Sequence, residues 1–568
     1  MQDNLLTQKI ARQFIAGKAE SLKRNEWNLV LTTALLAFVC GLTGLQQFLA
    51  AAGKDASWPD LVYFTLRLFT LSYDLQGEGT PYLPASPLLQ VARFLAPATV
   101  VYAAAKGFML AAAYQVNVWR LRRWRGHAVI CGAGKRGRQV ALALRAEGRK
   151  VVVIEKDPDC EAIAELRAAG ARIIIGEATN SLHQAESRMQ EAGLVVALTS
   201  SEESNLEVAL EASRRDTGPV DILVHASRQF AGIFEQQQPF DRIRKGVHAR
   251  FFDHDAAAAR LLLREFATDL ATELAQTPRP PRLLLVGDGT LLPELLAAAV
   301  AQCQYAFAGV PKLVVATPNR ESVCHRFPSL HPQLGQVAEV NLLELTPTEM
   351  ARLELEKMPG GAGFDLVFVA CRNDLDTLSL ARHLTQQGLG MSGRIVACLR
   401  PSTDLMRLLS SKQPVAGVEL RDLVELGCRA DVLLRGELDR EARAIHEVYV
   451  KAQTAAGASE ATNSALVAWE DLPESLRQAN RAQADHIPVK QRALAVSCSE
   501  QMIESLAEAE HRRWMAEKIV AGWRHAEQRD NARKLHPSLK PYSQLSEAEK
   551  QKDRDTVQSV LKEMPPHV

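Results

Sequence analysis

The feature that most constrains this chain is an uncharged, mostly apolar run from Leu29 to Ala52. A helix crosses a bilayer with ~20 such residues, so the run predicts a membrane span. A second stretch, Phe94 to Val118, is interrupted only by Lys106. Lys9, Arg12, Lys18, Lys23 and Arg24 precede the first stretch, and Arg120, Arg122, Arg123 and Arg125 follow the second. The segment 52–93 is poor in Lys and Arg. The positive-inside rule then places both termini in the cytoplasm and the connecting loop outside. A cleaved signal peptide fits badly: the apolar core is too long, and no small-residue cleavage site is obvious after it. The alternative is one span plus a buried or interfacial helix.

From Leu61 the connecting loop reads LVYFTLRLFTLSYDLQGEG. Residues 60–71 suit a short amphipathic helix that re-enters the membrane, where non-helical backbone survives only if buried or lining water. The order span, re-entrant helix, filter-like segment, span resembles the pore of two-span potassium channels. Thr70-Leu71-Ser72-Tyr73-Asp74 stands where that family carries Thr-Val-Gly-Tyr-Gly. Ser72 and Asp74 replace both glycines, and the filter's carbonyl conformation is one that glycine makes easy. The transported ion is therefore left unassigned. Two cations bear on it. Arg67 lies in the expected pore helix and Lys106 in the second span. Either they face a cavity, where rings of Lys or Arg favour anions, or Lys106 reaches the interface and Arg67 pairs with Asp74 or Asp60. Gly107 is a candidate gating hinge.

The length of 568 residues allows three or four domains. A net charge of +1, with no basic patch bearing aromatics outside the membrane flanks, argues against a nucleic-acid partner. The nine cysteines form no CxxC pair and no His/Cys cluster at metal spacing. They read as buried thiols in a reducing compartment, and no metal site is expected. Boundaries are expected at 1–27 (cytoplasmic N-terminal segment), 28–125 (two-span pore-like domain), 126–276 and 282–436 (two α/β folds), and 437–568 (a helical domain with a leading linker). The break Thr277-Pro278-Arg279-Pro280-Pro281 separates the α/β folds, and Thr454 to Asn463 is linker-like.

His127 to Cys131 is a short buried-strand signal, followed by Gly132-Ala133-Gly134-Lys135-Arg136-Gly137, a helical run to Glu147, and the apolar strand Val151 to Ile154 ending in Glu155. Gly132 allows the tight turn, Gly134 lets backbone approach a phosphate, and Gly137 lets the helix pack on the strand. The helix N-terminus, with Lys135 at its start, then faces the anion. Glu155 stands 23 residues past Gly132, where an acid takes ribose hydroxyls. An acid there favours NAD, ADP or ATP over a 2′-phosphorylated cofactor. A third strand ends in Gly176-Glu177, and a fourth, Gly193 to Thr199, is followed by Ser200-Ser201-Glu202-Glu203-Ser204-Asn205. Residues 126–250 closely resemble the RCK or TrkA-N domain, which regulates potassium conductance and uptake. The resemblance implies that Glu177, Ser200 and Asn205 line the nucleotide pocket. A dehydrogenase is the competing reading, but His225 and His254 sit in no recognisable catalytic motif, and neither a nucleophile elbow nor a metal motif is present.

Leu283 to Gly289 repeats the opening, with Leu292 at the third glycine position, and the strand Lys312 to Ala316 ends in Thr317 rather than an acid. Phe364 to Asp374 echoes the fourth strand. This reads as a second, degenerate RCK-like fold without a nucleotide site. In the tail, Leu472 to Arg477, Asn480 to His486, Leu506 to Trp523 (LAEAEHRRWMAEKIVAGW), Arg529-Asp530-Asn531, His536 to Leu539, Pro541-Tyr542 and Asp553-Arg554 resemble the ryanodine-receptor repeat, the RyR domain. That resemblance implies a ligand-binding or docking module, with Trp514, Trp523, Arg529 and Asp530 as candidates. The other reading makes both tryptophans core and Arg529 and Asp530 surface pairs.

The expected fold class is a membrane α-helical pore-like unit plus α/β: two doubly wound Rossmann-like folds and an all-α C-terminal domain. The expected function is a ligand-gated ion channel of the inner membrane, a homo-oligomer and most simply a tetramer. An adenine nucleotide is its regulatory ligand, and it is not an enzyme. The alternative is a membrane-anchored nucleotide sensor, a signalling or defence effector without selective potassium conductance.

Overall fold

The computed structural model describes residues 28–53, 57–70, 86–121, 123–214, 218–227, 246–326, 333–359, 361, 363–387, 393–400, 417–428, 439–460, 463 and 465–563. The filter-position residues Ser72, Tyr73 and Asp74 and the N-terminal basic residues lie outside this set. The chain forms two compact units, Met1–Val129 with Arg149–Gly193, and Ile130–Gly148 with Leu194–Val568.

Among the described residues of the first unit, two helices are long and apolar enough to cross a membrane: α1 (Asn28–Ala51) and the Pro87–Met109 part of α3 (Pro87–Leu121). Only 28% of each apolar window is buried, so the apolar side chains face outward, the reverse of a soluble core helix. The threonine hydroxyls of α1 are satisfied within the helix. Thr32, Thr33 and Thr43 donate to carbonyls four residues back, at 2.8–2.9 Å. Between the spans, α2 (Trp58–Leu68) is capped by Ser57, whose oxygen accepts from Asp60 N, and has Pro59 in its first turn. This is the short helix expected over 60–71. Ala37, Leu45 and Phe48 of α1 pack with Leu61 and Leu68 of α2 and Leu89, Ala92 and Ala96 of α3. The backbones approach closely where α1 carries glycine: a Cβ on Gly44 would sit 2.4 Å from Leu89 N. The second span begins earlier than Phe94. Arg93 is carried inside the helix with its guanidinium 4.9 Å from the Phe94 ring centre, so its charge does not mark an end.

Both α/β sheets have the same winding. The first joins β1 (Ala128–Cys131), β2 (Val151–Glu155), β3 (Arg172–Ile175), β4 (Leu194–Ala197), β5 (Val220–His225) and β6 (Val247–Phe252) in the order β3-β2-β1-β4-β5-β6. The second joins β7 (Arg282–Val286), β8 (Lys312–Thr317), β9 (Glu339–Glu344), β10 (Leu366–Val369), β11 (Arg394–Leu399) and β12 (Val418–Asp422) in the order β12-β11-β10-β7-β8-β9. Read from the other edge, that is the same doubly wound order. Its strands run parallel, for example Leu366 against Leu283 and Val369 against Val286. Their continuous apolar runs follow from burial on both faces. A 23-residue linking helix, His254–Gln276, follows β6 and leads into β7.

The C-terminal region is mainly helical: Glu474–Asp485, Ile487–Val496, Glu500–Val520 and Glu547–Glu563. It also holds a two-stranded parallel pair, Arg524–His525 with Leu535–His536, which the sequence patterning did not predict. Two-residue strands carry no readable alternation. The region shares one core with the second sheet, in which Val489, Met515, Ala516 and Ile519 join Leu263, Phe266 and Leu296. Hydrogen bonds reinforce it: His486 Nε2 to Gln304 O at 2.8 Å, Arg512 Nη2 to Tyr305 O at 2.9 Å, and Phe307 N to Ser505 Oγ at 2.7 Å.

Candidate functional site

In a doubly wound sheet a ligand sits beyond the carboxyl ends of the strands, where the winding reverses. In the first fold that point falls between β1 and β4. The loop after β1 turns at Gly132 (φ +99°), and Gly137 packs so tightly behind it that a Cβ there would lie 1.9 Å from Gly132 O. Gly134, by contrast, has no heavy atom within 4 Å of an added Cβ. The backbone is thus open where a phosphate would approach. Helix α4 (Lys135–Ala146) has no side-chain cap on Gly134, leaving its first amides oriented toward that space.

The loop after β4 is fixed from within. Asn205 is fully buried. Its oxygen accepts from Thr199 N and Thr199 Oγ1, both at 2.8 Å, and its amide donates to Thr199 O at 3.3 Å and His225 O at 3.0 Å. Asn205 therefore shapes the loop rather than presenting its side chain to solvent. Ser200 is exposed, and Ser201 caps the next helix by accepting from Ser204 N. Sequence reasoning missed the pair beside it: Arg136 Nη1 lies 2.8 Å from His225 Nε2. Burial and the Arg136 charge push His225 down to about 4, so a neutral imidazole accepts from the guanidinium. The two residues stand 89 positions apart, a separation no local pattern reveals.

In the other unit, Glu155 ends β2 and accepts from Asp157 N at 2.9 Å. Glu177 pairs with Lys156 at 2.6 Å, both side chains more than half exposed. The hydrogen bond and charge of Lys156 lower the Glu177 carboxyl. His183 supports the same turn, its Nδ1 lying 3.1 Å from Glu177 O.

In the second fold the corresponding crevice is closed. Gly289 N donates to Ala370 O at 2.9 Å, Asp288 Oδ1 accepts from Arg372 N at 2.8 Å, and Leu292 fills the core where the first fold has glycine. Asp374 accepts from Arg400 N at 2.7 Å. Both loop acids are engaged by the fold itself.

Thr70 ends the turn after α2 and is exposed, with Oγ1 donating to Arg67 O at 3.0 Å. Arg67 lies 5.9 Å from the Phe64 ring centre. Lys106 is half-buried in α3, and Gly107 beside it faces open space.

The four C-terminal candidates divide into two pairs. Trp514 and Trp523 are partly buried against the shared core, and His536 sits against both rings at 5.0 and 6.3 Å. Arg529 and Asp530 instead line an open cavity of about 600 Å³ together with Gln528, Asn531 and Arg533. The same region holds a buried ionic group absent from the sequence reading. Lys490 Nζ pairs with Glu510 at 2.6 Å, and Arg513 with Glu510 at 2.9 Å and Glu517 at 3.2 Å. Burial opposes the Glu510 charge, but Arg513 and Lys490 outweigh it and hold the group at about 2. Its signal is the spacing of Glu510, Arg513 and Glu517 on one helical face. Among the described residues no group of three or more His, Cys, Asp or Glu could hold a metal.

Two regions match known domain families. Residues 128–241 are a TrkA-N domain, and residues 487–566 are a RyR domain. Similar solved structures include the GsuK channel bound to NAD (14% identity, 74% of this chain and 86% of that chain, TM-score 0.39) and GsuK bound to ADP (15%, 74% and 99%, 0.38). The GsuK RCK domain is similar over 56% of this chain and 79% of that chain, at 13% identity and a TM-score of 0.39. No curated protein matches the chain by sequence.

Proposed function

We propose that the chain is the subunit of a ligand-gated channel of the two-span class, gated by an adenine nucleotide at the first α/β fold. The observation that carries this reading is the order of parts on one chain. Two bilayer-length apolar helices flank a short helix, and the second span leads into a TrkA-N domain whose glycine loop is open to solvent. In this reading Gly132, Gly134, Lys135 and Gly137 hold the phosphates. Glu155, Glu177 and Ser200 contact the nucleoside, with Asn205 shaping the loop after β4. Thr70 to Asp74, Lys106 and Gly107 belong to the pore. The ligand acts by binding open and closed states with different affinity. The assembly is a homo-tetramer in the inner membrane with cytoplasmic termini, the domains follow the boundaries expected from sequence, and the nucleotide is a regulator rather than a substrate. The RyR domain, through the cavity at Arg529 and Asp530 or the ring pair Trp514 and Trp523, takes a second small ligand.

A second reading rests on Ser72 and Asp74, which stand where a potassium filter has glycine. In it the spans are an anchor for a nucleotide-sensing effector without selective potassium conductance. Planar-bilayer recording separates the two. Unitary currents that change with ADP, NAD or ATP support the channel. A bilayer that stays sealed under all three, with protein insertion verified, supports the anchor.

A further inference from the structure

Lys135, exposed at the start of α4, donates through Nζ to the carbonyl of Arg400, just beyond β11 of the second fold. Arg400 is itself a junction. Its guanidinium donates to Asp255 Oδ1 at 2.7 Å and to Thr290 Oγ1 at 3.2 Å, and its amide to Asp374 Oδ1 at 2.7 Å. Asp255 lies in the first turn of the linking helix and also accepts from Thr290 Oγ1 at 2.5 Å and His254 Nδ1 at 2.9 Å. Thr290 follows Gly287-Asp288-Gly289 at the start of helix Leu291–Gln302, the place a phosphate takes in an intact fold of this kind. A carboxylate of the chain itself, delivered by the linking helix, stands there instead. One unbroken series of contacts thus runs from the first glycine loop through Arg400 and Asp255 to the second.

We propose that Lys135 is a nucleotide-released latch: without ligand it ties the first glycine loop to Arg400 of the second fold, and a phosphate at that loop takes its ammonium away. The inference rests on the nucleotide reading of the glycine loop. The exchange has a clear direction. Lys135 leaves the partial charge of a carbonyl for the full negative charge of a phosphate, and attraction between opposite charges scales with the charge met. Release removes one of the constraints on Arg400, the residue that holds Asp255 at the head of the linking helix. The second fold, its own crevice closed, becomes the reader of the first. Coupling of this kind is reciprocal: loosening the Arg400–Asp255 contact tightens nucleotide binding.

The test is hydrogen–deuterium exchange on the full-length protein in detergent, wild type and Lys135→Met, with and without ADP, with binding measured separately by calorimetry. The latch predicts that saturating ADP speeds exchange of wild-type amides at 253–260 by about threefold to tenfold, the range expected for one lost hydrogen bond. Lys135→Met exchanges at the faster rate without ADP and does not respond further. ADP that binds wild type while exchange at 253–260 stays unchanged overturns the latch and leaves the nucleotide reading standing. So does a Lys135→Met protein that exchanges as slowly as ligand-free wild type. Calorimetry showing no ADP binding to wild type removes the nucleotide reading, and the latch with it.

Discussion

Within the glycine loop, neighbouring residues of one type carry opposite constraints. Gly137 has no room for a Cβ beside Gly132 O, whereas Gly134 opens to solvent. Gly137→Val is therefore expected to lower the melting temperature, since overpacking costs about 1–3 kcal/mol, and to weaken nucleotide binding as well. Gly134→Asp should fold normally and lose binding, because its carboxylate stands where the phosphate approaches. Calorimetry of unfolding and of ADP binding on both variants separates the two effects; equal melting losses would contradict the assignment. His486 supplies a pH prediction. Burial and the Lys490 charge push it down to about 3, against ~6.5 in an unfolded chain. A folded value below the unfolded one means stability is intact above about pH 6.5 and falls as pH drops toward 3. His486→Gln keeps a donor for the Gln304 carbonyl, so its melting temperature should fall less than wild type between pH 7 and 5; parallel slopes would refute this. The turn at GxGxxG and the place of Glu155 at the end of β2 were legible because that pattern is local in sequence. The Arg136–His225 pair, the internal use of Asn205 and the Lys135–Arg400 contact were not, because their partners come from distant strands or, for Asn205, depend on burial that a single sequence does not reveal.

Among the elements, the membrane helices were read well in number and less well in extent. Hydropathy alone stops at Arg93, whereas the helix runs through it from Pro87. The close approach of α1 to α3 gives a packing prediction. Gly44→Leu would drive a side chain into Leu89 backbone and should reduce the thermal stability of the detergent-solubilised protein by about 1–3 kcal/mol or more. An unchanged melting curve would show that the two helices can part without loss. Just beyond the end of α3, Trp124 is flanked by Lys150 at 5.4 Å and Arg172 at 5.7 Å from its ring centre. Gly126 N donates to Glu191 O at 2.8 Å, and Gly193 N to His127 O at 2.9 Å. These contacts tie the end of the second span to the first α/β fold. Trp124→Ala is expected to bind ADP with wild-type affinity while its ion flux responds less to the nucleotide. A full response would place the coupling elsewhere.

Across the molecule, the repeat of one winding order in both sheets was visible in the sequence as two strand–glycine openings about 150 residues apart. The docking of the C-terminal helical region on the linking helix was not, since it depends on ion pairs between distant segments. Buried Asp485 forms an ion pair with Arg260 at 2.6 Å, and Arg264 pairs with Glu441 at 2.7 Å. Asp485→Ala should cost about 3–5 kcal/mol by leaving buried charge without its carboxylate, read as an earlier unfolding transition of the full-length protein. The linking helix thereby touches both Arg400, at Asp255, and the C-terminal helical region, at Arg260, so it is a shared element through which the proposed ligands would act. The most direct test of the whole account is ion flux from liposomes holding the purified protein, with and without ADP, NAD and ATP. The account predicts flux that changes with at least one nucleotide and loses that response in Gly134→Asp. Absence of flux in every condition, alongside measured nucleotide binding, would contradict it and make the spans an anchor.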